Sequence, residues 1–390
     1  MYEIELNNVP VKIWAKGVDP HAMKEIVNLS TLPFVFHHLA FMPDVHGGKG
    51  MPIGGVLATR GVVIPNAVGV DIGCGMCAVK TSLRAEDIPS DVLRKQILRG
   101  IRKQIPLGFG HHKTAQDEAF MPQGFDIDKL AVVKRQYASA TKQVGTLGGG
   151  NHFLELQKDT DGLLWIMIHS GSRNLGAQVG MYYDDKAKML NKRWFSSVNP
   201  DIDMAFLPMQ SDEAHAYWDE MNYCVEFALC NRRLMMQRIC QVIGDVYPDT
   251  QFEPMINIAH NYACWENHFD ERVIVHRKGA TRACLGETGI IPGSQGTKSY
   301  IVEGLGNPDS FQSCSHGAGR LMSRTEAVRN LSLTDEIAKL EAQGIVHAIR
   351  GQKDLEEAAS AYKNIYEVMA NQTDLVKIVT ELSPVAVIKG

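Results

Sequence analysis

Asp71 and Cys74 stand in AVGVDIGCGMCAV (Ala67 to Val79), an otherwise apolar run that also holds three glycines and a second cysteine. A carboxylate in such a run needs a cation or several donors to offset its desolvation. Three histidines follow strand-like runs in comparable settings: His152 in TLGGGNHFLEL, His169 in WIMIHSGSR and His260 in NIAHNYA. One carboxylate, one thiolate and three imidazoles suffice for one tightly held metal ion, or for two ions sharing the sulfur. Ligand softness alone points to zinc for a set of this kind. Cys74-Gly75-Met76-Cys77 is formally a C-x-x-C, but the chain has no second one. A redox motif of that type should also open a helix, whereas AVKTSL continues as a strand. Cys77 is read as a packed, inert thiol.

His316 has a different setting. In SFQSCSHGAGRLMSR (Ser310 to Arg324) it lies between small residues and is followed by Gly317, Ala318 and Gly319. Backbone amides can approach a phosphate there, and Arg320 supplies charge. This suits a nucleophilic or phosphate-binding histidine. An ordinary P-loop NTPase is excluded, because GSQGTKS (Gly293 to Ser299) has the lysine and serine but the wrong glycine spacing. His21, His37, His111, His215, His268 and His347 are read as ordinary hydrogen-bonded residues.

Holding such groups takes a β-rich scaffold. IGGVLATRGVVIPNAVGVDIGCGMCAVKTSL, GLLWIMIHSGSR, ERVIVHRKGA and KSYIVEGLG read as short buried strands ending in glycine-rich or polar loops. Between Asp212 and Val246 apolar residues recur at three- and four-residue steps, from Ala214, Trp218 and Met221 to Met235, Ile239 and Ile243. That periodicity predicts one long amphipathic helix with its Met and aromatic stripe in the core. A second helical stretch is expected from about Asp354 to Leu382. The apolar tail PVAVIKG after it is read as a buried strand that carries Lys389 inward, where an ammonium needs an anionic or acceptor partner. With no linker, low-complexity segment or internal repeat, the expectation is a single large α+β domain over residues 1–390, with a β-rich core, metal-binding loops and flanking helices.

The 390 residues are 45% hydrophobic and 22% charged, which excludes a disordered chain. A formal net charge of -4 provides no global field for nucleic acid, so a polyanion partner would need a local basic patch. Eight dispersed cysteines and an N-terminus without a basic-then-apolar signal make the cytoplasm the expected location. No apolar run reaches the roughly 18 residues of a membrane helix.

Taken together and in order, FMPDVHGGKG, PNAVGVDIGCGM, GTLGGGNHFLE, IMIHSGSR, AHNYA, RKGA, GIIPGSQGTKSYIV, GLGN, SCSHGAGRLMSR and the terminal KG resemble the RtcB family of RNA ligases over essentially the whole chain. The resemblance implies joining of an RNA 3′-phosphate or 2′,3′-cyclic phosphate to a 5′-hydroxyl, with GTP and Mn²⁺, through a guanylylated histidine. That histidine would be His316, with Asp44 of MPDVH orienting it. Asp71, Cys74 and His152 would hold one manganese, and Cys74, His169 and His260 the other. The family thus points to manganese where softness points to zinc.

GTP would lie against Asn151, His152, Phe153, Leu154 and Glu155, against His260 and Asn261, and against Pro292, Gly293, Ser294, Gln295 and Ser299. It would also meet His316, Gly317, Ala318 and Gly319, with Lys389 near the guanine and Tyr362 stacking beside it. Arg173 and Arg320 would contact substrate phosphates. A monomer is expected. The chain departs from the family pattern at Asn174, where glycine is common, and over LGFGHHKTAQDEAF (Leu107 to Phe120). There His111, His112 and Lys113 are read as a solvated loop rather than a substrate patch. The narrower readings are a ligase dedicated to one cleaved RNA, and a metal- and nucleotide-binding regulator that does not ligate.

Overall fold

In a computed structural model that describes all 390 residues, two antiparallel-rich sheets meet along one seam. The six-stranded sheet has the order Tyr2–Leu6, Val9–Ile13, Val35–Lys49, Met51–Thr59, Glu271–Lys278 and Asn261–His268. Its one parallel pair joins Val9–Ile13 to Val35–Lys49. The seven-stranded sheet has the order Ile256–Ala259, Gly75–Arg84, Leu163–Ser170, Phe153–Lys158, Val376–Lys389, Ser299–Gly304 and Thr288–Ile291. The architecture is α+β, as the strand and helix patterns indicated.

Alternation along the strands decides which residues face the core. Leu154 and Leu156 point with Leu164, Ile166 and Ile168 into an apolar layer, while Phe153 and Glu155 point the other way, into a cavity. The long helix spans Asp212–Val246, and its Met235, Ile239 and Ile243 close that layer from behind. Ser211 caps it by accepting from the Ala214 amide at 3.2 Å, with Asp212 and Glu213 in the first turn. Each fully buried Leu or Ile contributes roughly 1.5–3 kcal/mol, so the helix is held by its face rather than by propensity.

The expected helix over 354–382 does not form. The chain makes the 3₁₀ turns Gln352–Glu357 and Ala359–Ala361, a short helix Ile365–Ala370 capped by Asn364, and the strand Val376–Lys389. The β-branched run from Val376 onward prefers the pleated surface that the Ser299–Gly304 and Phe153–Lys158 strands offer on either side. Pro384 is tolerated because the register shifts between Pro384 and Ala386. The terminal PVAVIK is a strand, as its apolar pattern predicted.

Candidate metal and nucleotide site

His260 sits where the chain leaves one sheet for the other. Ala259 pairs with Gly75 in the seven-stranded sheet, and Asn261 pairs with Lys278 in the six-stranded sheet. A cavity of about 520 Å³ opens along this seam, a size that suits a nucleotide. Its floor is the donor set. Cys74 Sγ lies 3.5 Å from His152 Nε2 and 3.3 Å from His169 Nε2, and His169 Nε2 lies 3.4 Å from His260 Nε2. His152 Nε2 is 3.2 Å from Asp71 Oδ2. The five groups form two overlapping triads, Asp71–Cys74–His152 and Cys74–His169–His260, with the sulfur common to both.

Local structure aims these atoms. The Cys74 amide donates to Asp71 O at 3.1 Å, and the His260 amide donates to Cys74 O at 2.8 Å, so the turn and the seam carry the sulfur between them. The Asn151 carbonyl, 3.1 Å away, accepts from His169 Nδ1, which leaves the lone pair of Nε2 facing the sulfur. Glycine at 171 leaves room for the carboxylate, since a Cβ there would stand 2.3 Å from Asp71 Oδ1 and displace it.

The electrostatics describe a site short of a cation. Burial, then the Asp71 charge, pushes the Cys74 thiol well above its usual range. Burial and neighbouring imidazoles push His169 and His260 well below theirs. Burial opposes the charge on Asp71, but its hydrogen bond to His152 and the nearby Arg173 hold the carboxyl at about 2. Lone pairs therefore converge with only a half-buried carboxylate charged, and the buried His260 Nδ1 has no partner. A divalent transition ion would satisfy that arrangement, and oxygen, nitrogen and thiolate ligands at these positions fit one.

His316 stands at the cavity wall, its ring 4.8 Å from that of His260. Its amide and its Nδ1–H both donate to Asp44 Oδ2, at 3.1 and 2.6 Å. Asp44 is fully buried; desolvation opposes its charge, but His316 keeps the carboxyl below its usual range. The arrangement leaves Nε2 of His316 as the nitrogen with a free lone pair. Gly319 is required at φ 74°, where a Cβ would meet Asp44 O at 2.3 Å.

Lys389 also lines the cavity, its Nζ 5.5 Å over the Phe153 ring. Burial lowers its pKa, opposed by Glu357 and Glu155. Burial pushes Glu155 up to about 8. Tyr362 lines the same cavity and donates to Glu357 Oε2, while the Arg320 guanidinium pairs with that oxygen at 2.9 Å and lies over the Tyr362 ring.

Of the residues singled out from sequence, Asp71, Cys74, Asn151, Phe153, Glu155, His169, His260, Asn261, Pro292, Gly293, Ser294, Gln295, His316, Gly317, Ala318, Gly319, Arg320, Tyr362 and Lys389 all line the cavity. His152 and Asp44 lie behind its surface, in contact with Asp71 and His316. Leu154 is not brought there, because strand alternation turns it into the core. Ser299 faces the backbone of the 293 turn, accepting from the Gly293 amide at 3.1 Å. Arg173 touches the rear of the site, 3.5 Å from His152 Nδ1. Asn174 is accommodated in the helix Arg173–Arg193, its amide bonded to Gln143.

Sequence reasoning missed two residues on the long helix. Arg232 Nη1 donates to Gly73 O at 3.0 Å and Ser170 O at 2.7 Å, and Nη2 donates to Ile258 O at 3.2 Å. These carbonyls adjoin Cys74, His169 and His260, so one buried guanidinium ties together three ligand-bearing strands. Asn231 accepts from the Gly145 and Thr146 amides and donates to Gly171 O. The signal was present as two polar residues inside an apolar stripe. His46, Lys278, Arg324 and Glu357 also line the cavity and were not singled out. Burial pushes His46 down to about 4 and Lys278 down to about 8.

A family profile described as "tRNA-splicing ligase RtcB" matches residues 25–390. The chain is 40% identical to "RNA-splicing ligase RtcB" of Escherichia coli K12, with 98% of each chain covered. It is 34% identical to "RNA-splicing ligase RtcB homolog 1" of Entamoeba dispar, covering 95% of this chain and 82% of the relative. It is 30% identical to "tRNA-splicing ligase RtcB" of Thermococcus kodakarensis, covering 98% and 95%. No helix is long and apolar enough to cross a membrane.

Proposed function

The chain belongs to the RtcB family of RNA ligases, and from that premise we propose that it joins RNA 3′-phosphate or 2′,3′-cyclic phosphate ends to 5′-hydroxyl ends, using GTP and two Mn²⁺ ions, with His316 as the guanylylated nucleophile. The observation that carries this reading is the placement of His316. Its Nδ1–H is held by a buried carboxylate at 2.6 Å, and its ring stands beside a five-ligand donor set.

Asp71, Cys74 and His152 would hold one ion, and Cys74, His169 and His260 the other. Together the ions would neutralise phosphate charge and orient in-line displacement. The chain's own groups do the rest. His316 Nε2 forms a bond to the α-phosphorus of GTP as the α–β phosphoanhydride breaks and pyrophosphate leaves. Asp44 keeps the Nδ1 proton and stabilises the positive charge that the ring gains. A 2′,3′-cyclic end is first opened by water, which breaks the bond to the 2′-oxygen; the RNA 3′-phosphate then takes the guanylyl group from His316, and attack by the 5′-hydroxyl expels GMP.

Lys389 and Glu155 supply an ammonium and a carboxyl to the cavity lining, suited to a guanine base, and Tyr362 offers a ring in the same lining. Arg320, which is paired with Glu357 and lies over Tyr362, would add positive charge toward substrate phosphates, with Arg173 behind the donor set. Incubation with α-labelled GTP and Mn²⁺ should label the protein through an acid-labile phosphoramidate, and His316→Ala should remove the label. Equal labelling of the variant would refute the nucleophile. Efficient sealing of 3′-hydroxyl to 5′-phosphate ends would refute the end chemistry.

A further inference from the structure

Five exposed cations without an ion-pair partner fall within ten residues of one helical segment outside the site. The segment 90–104 is α-helical over Ser90–Val92, π-helical over Leu93–Leu98 and α-helical over Arg99–Gln104. Leu93, Ile97, Leu98 and Ile101 bury its inner face against the core behind the seven-stranded sheet. Its outer face presents Arg94, Lys95, Arg99, Arg102 and Lys103, all exposed. None of the five takes part in an ion pair.

The wide π-turn matters to their alignment. Hydrogen bonds of the i→i+5 kind bring Arg94 and Arg99 onto one face, and Arg102 and Lys103 follow at the α-helical i+3 and i+4 spacings. Arg350, from a segment distant in sequence, adds its own charge near Arg102. A helix dipole accounts for cations in the last turn, but not for Arg94, Lys95 and Arg99. In a chain of net charge -4, a stripe of uncompensated cations calls for an external polyanion.

The chain runs on from this stripe to the rear of the site. Beyond Gln104 the chain reaches Gly108, whose amide donates to Gly148 O at 3.0 Å and whose carbonyl accepts from Arg173, behind the donor set. Phe109 follows with 100% of its surface exposed, and Lys113 lies just beyond it. From Arg94 to Lys103 the stripe spans about 14 Å, enough for about four phosphates of a stacked strand at roughly 3.4 Å per nucleotide.

We propose that this face is the track for the single-stranded RNA flanking the break, with the arginines and lysines on its phosphates and Phe109 stacked on a base near the reacting end. The identity of the polymer rests on the ligase reading above; the existence of the track rests on the charge stripe and its continuity with Gly108.

Fluorescence anisotropy with a labelled single-stranded RNA of about 20 nucleotides measures the track without any ligation step. R94Q/R99Q/R102Q/K103Q should bind at least about tenfold more weakly at 0.1 M salt, and its log–log salt slope should be shallower by about three. Phe109→Ala should weaken binding about five- to a hundredfold with little change in slope. Guanylylation of His316, which needs no RNA, should stay within about twofold in both variants and so report an intact centre. Unchanged affinity and slope in the quadruple variant would overturn the proposal. So would retained RNA affinity with lost binding of polyglutamate, which would assign the face to an acidic protein. A wild-type protein that binds RNA through this face but neither guanylylates nor ligates would count against the function proposed above and leave the track standing.

Discussion

Cys264, Glu266, His268 and Arg277 form a largely buried polar cluster from much the same residue types as the donor set of Asp71, Cys74, His152, His169 and His260. In the first, Arg277 donates to Glu266 at 2.6 and 3.1 Å, His268 Nε2 lies 2.7 Å from Glu266 Oε2, and the remaining guanidinium donors reach Ser313 and Phe311 O at 2.9 Å. Its cation comes from the chain. In the second, imidazole nitrogens face each other and a thiol, and the buried guanidinium of Arg232 is spent on carbonyls behind the strands. Cysteine, histidine and carboxylate together therefore do not mark a metal site. What sets the donor set apart is a thiol and imidazole nitrogens that converge on one another, while the nearest guanidinium, Arg173, meets the far nitrogen of His152.

Replacing the shared ligand should give the largest effect. Cys74→Ala should cost at least about 10³-fold in ligation and remove most bound metal after reconstitution with Mn²⁺. Cys77→Ala, three residues on, empties a place in the apolar core and should leave metal per chain unchanged. Equal metal loss in both variants, read by elemental analysis, would break the contrast.

Next comes Lys389. If Lys389 places the nucleotide as proposed, Lys389→Ala should lower guanylylation of His316 by about 10²-fold while metal content stays constant. Uptake of GTP equal to that of the intact chain would reduce the tail to packing. Ligation of an RNA whose 3′ end is already guanylylated should be less affected, because nucleotide loading is bypassed.

Arg232→Met keeps the volume of the side chain while removing its donors. The three carbonyls beside Cys74, His169 and His260 then lose their common partner, and metal affinity should fall about 10- to 100-fold. Metal titration monitored alongside thermal unfolding separates this from a general loss of fold. An unchanged metal affinity would show that the strands hold their geometry without the clamp.

The smallest effect on chemistry belongs to the self-contained cluster. Glu266→Gln should leave metal content and guanylylation intact, yet cost about 3–5 kcal/mol of stability by stranding the Arg277 charge. Desolvation opposes the charge on Glu266, but Arg277 and His268 overcome it and depress the carboxyl far below its ordinary value. A depressed carboxylate contributes stability above its unfolded pKa of about 4.5, and the contribution is lost as pH falls through the folded value. Denaturant midpoints of wild type and variant should therefore differ at pH 7, begin to approach each other below about 4.5 and meet only as pH nears the strongly depressed folded value. A difference that does not narrow as pH falls would show that packing, not charge, is what the substitution removes.

Much of the scaffold was legible because it rests on periodicity. The helix Asp212–Val246 follows from apolar steps of three and four, and the strands around Cys74, His169 and Lys389 follow from short β-branched runs. The segment from Asp354 to Leu382 was not legible. Its residues tolerate a helix, and the outcome turned on two neighbouring strands with unpaired edges that no local pattern reveals.

The chain's residue types alone determined the chemistry on offer: one carboxylate, one thiol and three imidazoles in apolar surroundings, and a histidine among small residues before an arginine. Convergence was decided by tertiary structure. His260 reaches Cys74 only because the chain crosses between sheets at that residue, across 186 positions of sequence. Arg232 and Asn231 acquire their role only when the helix lies against the strand ends, and Leu154 loses one only when alternation turns it to the core. The physical reason is that side-chain chemistry is a local property of the sequence, whereas distance and desolvation are set by how separate elements pack.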